Sequence, residues 1–88
     1  MSYRVHVRVM PRAGLLDPQG QAVEHALAAL GFAEARSVRV GRAIELEVEA
    51  ASAADAEARA RRMCDKLLAN PVTEDYEVEV EALARETA

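Results

Sequence analysis

A single cysteine, Cys64, stands among the 88 residues, so no internal disulfide can staple this chain. The two histidines, His6 and His25, are scattered and form no metal-ligand cluster with that thiol. Tryptophan is absent, and the three aromatic residues, Tyr3, Phe32 and Tyr76, are too few for the stacking platform of a single-strand nucleic-acid binder. Basic charge is not in excess either. With 15 acidic against 11 basic residues, the net charge of −4 supplies no general field for a phosphate backbone or an anionic membrane. No apolar run approaches the roughly 18 residues that span a bilayer. The opening Met-Ser-Tyr-Arg is not a basic-then-apolar signal, so a cytoplasmic location is expected. Large apolar side chains are scarce as well, because nineteen residues of the 51% apolar fraction are Ala. A chain this short buries only about 60–65% of the surface its unfolded form exposes, and it has no staple, so association with other chains is expected.

One domain fills residues 1–88. Tyr3, Val5, Val7 and Val9 alternate with Arg4, His6 and Arg8, the period-two pattern of a half-buried strand. A loop with Pro11, Gly14 and Pro18 follows. Asp17 occupies a helix N-cap position with Pro18 at the first helical residue, and Ala22, Val23, Ala26, Leu27 and Leu30 recur at helical spacing before Gly31. Val38 and Val40, then Gly41-Arg42, then Ile44, Leu46 and Val48 predict a hairpin with a type II′ turn. Ser52 and Asp55 resemble a capping box for a second helix, whose buried face is expected to hold Ala56, Ala60, Met63, Cys64, Leu67 and Leu68. Asn70-Pro71 ends that helix, Tyr76, Val78 and Val80 form a fourth strand, and residues 82–88 are expected to fray.

The order β-α-β-β-α-β predicts an α+β ferredoxin-like two-layer sandwich, with both helices on one face of an antiparallel sheet ordered 4-1-3-2. Outward charge selects that order. Strand one exposes Arg4, His6 and Arg8, strand two Arg36, Ser37 and Arg39, strand three Glu45, Glu47 and Glu49, and strand four Glu77, Glu79 and Glu81. Placing strand four beside strand three would set two glutamate rows together, which is destabilising.

No catalytic constellation emerges from these residues. The glutamates alternate with core positions along solvated strands and read as a charged sheet face, and Cys64 reads as a small core hydrophobe. Arg12, in the first loop, is a candidate for contact with a phosphate or a partner carboxylate. An acylphosphatase-like hydrolase would need an asparagine near strand two, and the only asparagine is Asn70. A regulatory module of the ACT type, binding a small molecule at a dimer interface, shares the element order.

Four segments carry a more specific signal: Pro-Arg-Ala-Gly-Leu-Leu-Asp-Pro-Gln-Gly at 11–20, Ala-Leu-Ala-Ala-Leu-Gly-Phe at 26–32, Val-Arg-Val-Gly-Arg at 38–42, and Met-Cys-Asp-Lys-Leu-Leu-Ala-Asn-Pro-Val-Thr-Glu-Asp-Tyr at 63–76. Together they resemble the PurS subunits of phosphoribosylformylglycinamidine (FGAM) synthase over nearly the whole chain. Arg12 and Arg42 stand where that family commonly carries Lys, and Thr73 where it carries a branched apolar residue. The resemblance implies a non-catalytic subunit that bridges a glutaminase, PurQ, and an ATP-dependent synthetase, PurL, in the fourth step of de novo purine synthesis. ATP, magnesium and glutamine would be used by those partners, with no cofactor held by this chain. It also implies a homodimer or a dimer of dimers, for which the edge strands two and four, the open arginine-glutamate face of the sheet, or an exchanged strand four are candidate interfaces. Partner contacts are expected at Arg12, Asp17, Pro18, Gln19, Gly20, Arg42, Asn70, Pro71 and Asp75, with Gln19, Arg12 and Asn70 foremost.

Overall fold

A computed structural model describes residues 1–83. Strand β1 (Ser2–Pro11) is the middle of a three-stranded antiparallel sheet, with β2 (Arg42–Glu49) on one side and β3 (Glu74–Ala82) on the other. These are the first, third and fourth strands expected from the sequence, in the expected neighbour relation. The alternation of Val with Arg and His turns Val5, Val7 and Val9 inward, and all three are fully buried. The register sets Arg4 opposite Glu47 and Glu81, His6 opposite Glu45 and Glu79, and Arg8 opposite Glu77. On this outer face Arg4 pairs with Glu45 at 3.7 Å, Arg8 pairs with Glu77, and the His6 ring lies between Glu45 and Glu81. Carboxylates on both neighbouring strands thus surround His6, which its own strand flanks only with arginines. Exposed pairs of this kind contribute little each, about 0–1 kcal/mol, but they all favour this strand order over its alternatives.

Helix α2 (Ala53–Met63) covers the inner face over β1 and β3. Its start is set by local hydrogen bonding: the Ser52 hydroxyl accepts the Asp55 amide, and the Asp55 carboxylate accepts the Ala51 amide, each at 3.1 Å. Ala56 and Ala60 are fully buried, and their small side chains let the helix lie close to the valines of β1. Cys64 completes the stripe, and burial raises its thiol pKa, as befits a core residue. The helix then widens into a π-helical turn (Cys64–Leu68), closed by the Ala69 amide on the Cys64 carbonyl at 3.0 Å. The wider turn shifts its side chains out of α-helical phase, so Leu67, expected in the core, is 81% exposed.

The second predicted strand does not form among the described residues, and neither does its hairpin turn. Ser37 takes a left-handed φ of 56°, which interrupts an extended run, while the Val38 and Val40 amides bond to the side chains of Glu24 and Asp17 at 3.3 and 2.9 Å. Gly41 is not in the positive-φ conformation of a type II′ turn. It crosses so close to the Val9 carbonyl and Met10 that a Cβ there would clash, a close approach that only glycine allows.

Helix α1 (Pro18–Ala29) begins at Pro18 as expected and ends before Gly31, at φ 99°. It makes no extensive contact with the sheet or with α2, contrary to the expected pair of helices on one face. Its apolar stripe is narrow, and the bonds to Val38 and Val40 tie it to the returning chain instead. At the other end of the chain β3 runs to Ala82, paired with Tyr3, so fraying does not begin at 82; the rest of the expected tail, 84–88, lies outside the described residues.

The valine row is the least replaceable part of this thin core. Val7→Ala is expected to cost about 2 kcal/mol, from lost burial plus the cavity left behind, read as a lower denaturant midpoint with an unchanged slope.

Candidate functional site

At one end of the sheet, β1 finishes while β2 and β3 begin. Three stretches distant in sequence, 11–20, 40–42 and 68–75, meet there. Arg42, the first residue of β2, lies opposite Val9 and reaches past the end of β1 to Glu74 on β3. Its two terminal nitrogens grip both Glu74 oxygens at 2.8 and 3.0 Å, and one also donates to the Leu68 carbonyl left open by the π-helical turn. Glu74 further accepts the Asn70 amide at 2.7 Å. The Arg42 guanidinium, and after it the Asn70 N–H, hold the Glu74 carboxyl below its ordinary value of 4.5.

Beside this pair, Arg12 donates to the Pro71 carbonyl at 2.7 Å and stands 3.3 Å from the Asp75 carboxylate, while its own amide bonds to the Thr73 carbonyl. The 70–74 turn is self-supporting: the Asn70 side-chain oxygen accepts the Val72 amide at 2.9 Å, and its backbone carbonyl accepts the Thr73 and Glu74 amides. Asn70 therefore spends its side-chain acceptor on building the corner.

Asp17 stands at the N-cap position, but its carboxylate accepts the Val40 amide at 2.9 Å rather than closing the first turn. That bond first, then the nearby Gly20 and Gln19 amides, lowers its pKa. Gly20 is buried, and a Cβ there would strike the Val38 carbonyl, so it permits close approach of the two segments and offers little outward surface. Pro18 and Gln19 are exposed. Gln19 lines an open cleft of about 570 Å³ with Leu15, Leu16, Asp17, Arg42 and Glu74.

All nine residues singled out from the sequence thus lie in or beside one corner. Glu74, to which Arg42 and Asn70 are anchored, escaped sequence reading, as did an apolar fringe: Leu15, Leu16 and Val72 are 48, 74 and 74% exposed. The adjacent Leu15-Leu16 in a loop rich in Gly and Pro was a legible signal for that fringe. Glu74 had none, since its partner lies 32 residues away. Fixed ion pairs framed by exposed leucines and a valine have the anatomy of a protein-binding corner.

The chain is, by fold, a small α+β protein with a three-stranded antiparallel sheet and two helices, closed at one end by a corner of fixed ion pairs. It belongs to the PurS family of FGAM synthase, whose model matches residues 4–82. The PurS subunit of Bacillus subtilis is 44% identical over 79 residues, spanning 90% of this chain and 93% of that one. That of Methanocaldococcus jannaschii is 35% identical, spanning 92% and 98%. Among solved structures, B. subtilis PurS superposes with a TM-score of 0.82 at 46% identity, over 91% of this chain and 99% of that one. A chain of the Thermotoga maritima PurLQS structure gives 0.83 at 32% identity, over 91% and 98%.

Loss of the Glu74 charge tests the corner. Because its folded-state pKa is depressed, its contribution is complete above the unfolded value and disappears as pH falls through the lower folded value. Glu74→Gln should therefore be less stable than the parent at neutral pH, with the two converging below the ordinary carboxylate range in urea titrations taken at several pH values.

Proposed function

We propose that this chain is the non-catalytic bridge of FGAM synthase, bringing a PurQ glutaminase and a PurL synthetase together so that ammonia from glutamine reaches formylglycinamide ribonucleotide. The observation that carries this reading is the convergence of Arg12, Asp17, Gln19, Arg42, Asn70 and Asp75 on one rigid corner beside Leu15, Leu16 and Val72. Family membership over nearly the whole chain supports it, as does the likeness to a PurS chain from a PurLQS structure. Preformed corners of this kind bind at low entropic cost, because their side chains are already fixed by one another. Ammonia released into water is protonated and diluted, so holding two active sites together raises effective concentration without any new catalytic group.

In this reading ATP, magnesium and glutamine are handled by the partner subunits, the assembly is cytoplasmic, and the chain works as a homodimer or dimer of dimers. No helix among the described residues is long and apolar enough to cross a membrane. The sheet reaches the ferredoxin-like order 4-1-3-2 when a fourth strand joins the open edge of β2, next to the three neighbours already in place.

Purified PurL and PurQ should form FGAM from glutamine only when this chain is added, and from ammonium chloride with or without it. An unchanged rate in both arms would refute the bridging role. Arg12→Ala and Gln19→Ala should each weaken assembly about tenfold, as truncation of a single good interface contact does, measured by sedimentation or light scattering of the mixed subunits.

A further inference from the structure

Strand β3 is an edge strand whose one sheet neighbour is β1. The Leu83 amide donates to the Ser2 carbonyl at 3.1 Å and the Arg12 amide to the Thr73 carbonyl at 2.9 Å, which fixes the phase of the ladder between them. With Tyr3 opposite Ala82, the backbone groups of Glu77, Glu79 and Glu81 point to β1, and those of Tyr76, Val78 and Val80 point out of the sheet. Among the described residues nothing receives these three amides. The open stretch from Tyr76 to Ala82 runs about 20 Å. It leads directly out of the corner, where Glu74 is held by Arg42 and Asp75 by Arg12.

Side chains on the two faces of this edge restrict what can pair there. On the outer face stand Glu77, Glu79 and Glu81, all exposed. Arg8 holds Glu77, while Arg4 and the His6 ring approach Glu81 at 4.0 and 3.5 Å. Glu79 makes no hydrogen bond or ion pair among the described residues, and Arg8, the cation that feels its charge, is already engaged. Glu45 on β2 also draws on Arg4 and His6, at 3.7 and 3.4 Å, so the row on β3 keeps a surplus of negative charge. On the inner face Val78 and Val80 are half-buried. Tyr76 is tied to α2, its hydroxyl donating to Asp65 at 3.0 Å and its ring lying 5.8 Å from the Arg61 guanidinium.

A second copy of the chain fits this edge badly. Any register that keeps the valines of two β3 strands on one face sets glutamate beside glutamate on the other, and like charges opposite one another are destabilising. Charged rows of this kind keep edge strands from pairing with their own kind. A strand of opposite charge meets no such penalty and neutralises the surplus.

We propose that β3 is a second docking surface of this chain. Its occupant is an extended segment of the partner seated at the corner, with lysine or arginine at alternate positions beside Glu77, Glu79 and Glu81. Apolar residues between them cover Val78 and Val80, and backbone bonds form to the open groups of Tyr76, Val78 and Val80. The proposal rests on the bridging reading and adds to it a surface and the sequence pattern that surface accepts.

Hydrogen exchange tests it. In the isolated chain the Val78 and Val80 amides should exchange at close to the unprotected rate, while the Val7 amide, bonded in the β1–β2 ladder, reports an intact fold. On assembly with purified PurL and PurQ, exchange at Val78 and Val80 should slow by about tenfold or more. Unchanged exchange in a formed complex would overturn the proposal, and so would protection already present in the isolated chain, the sign of a second copy on the edge. Glu79→Lys, at an exposed position without an ion pair, should weaken assembly about tenfold. Assembly as tight as the parent's, with Val7 still protected, would equally overturn it. Failure of the parent chain to assemble at all refutes the bridging reading and this proposal together; assembly with a freely exchanging edge refutes this proposal alone.

Discussion

Pairing of β1 along both edges is the constraint on which the rest of the structure depends. Its inward valines make the core, its outward Arg4, His6 and Arg8 separate two glutamate rows, and the registers of β2 and β3 are both measured against it. A one-residue slip on either side would turn Ile44, Leu46 and Val48, or Val78 and Val80, to the wrong face. The corner where β1 ends inherits this register. Because Pro11 lies opposite Glu74 and Val9 opposite Arg42, the end of β1 falls where Arg42 reaches Glu74 across it. Just beyond that end, Arg12 meets Pro71 and Asp75.

Much of this was legible in the sequence wherever one periodic signal acts alone. Tyr3 to Val9, Ile44 to Val48 and Tyr76 to Val80 are strands because nothing nearby competes with period-two burial, and Ser52 with Asp55 starts a helix by local hydrogen bonding. Val38 and Val40 carry the same alternation without forming a strand. Side-chain pattern does not record who takes the backbone amides, and here Glu24 and Asp17 take them from 14 and 23 residues away. Leu67 obeyed helical spacing until the π-helical turn put it out of phase. The corner residues were named through the family resemblance, yet their mutual geometry was hidden, since Arg42 and Glu74 meet only after the sheet has formed.

Scarcity of large apolar side chains explains both the build of the core and what it leaves out. Val5, Val7, Val9, Ala56, Ala60 and Cys64 pack closely because they are small, and small residues bury little area each. One helix over β1 and β3 exhausts that supply, while the stripe of α1 stays in water. A sheet half-covered by its own chain is marginal by area alone.

The corner divides its labour differently. Its charges are already neutralised within the chain: Arg42 by Glu74, Arg12 by Asp75, and Asp17 by backbone amides. In the proposed assembly a partner covering them would desolvate paired groups rather than lone ions, which removes much of the penalty that makes buried charge costly. Affinity would then fall to Leu15, Leu16 and Val72, whose exposed surfaces have most area to lose, while the fixed polar groups would set orientation. Arginine suits this scaffold better than lysine would. Only a planar fork can hold both Glu74 oxygens and the Leu68 carbonyl at once, tying the end of α2 to β2 and β3 in a single contact. Orientation of the two catalytic partners, on which ammonia transfer depends, would thus be set by a part of the chain that has little freedom to move.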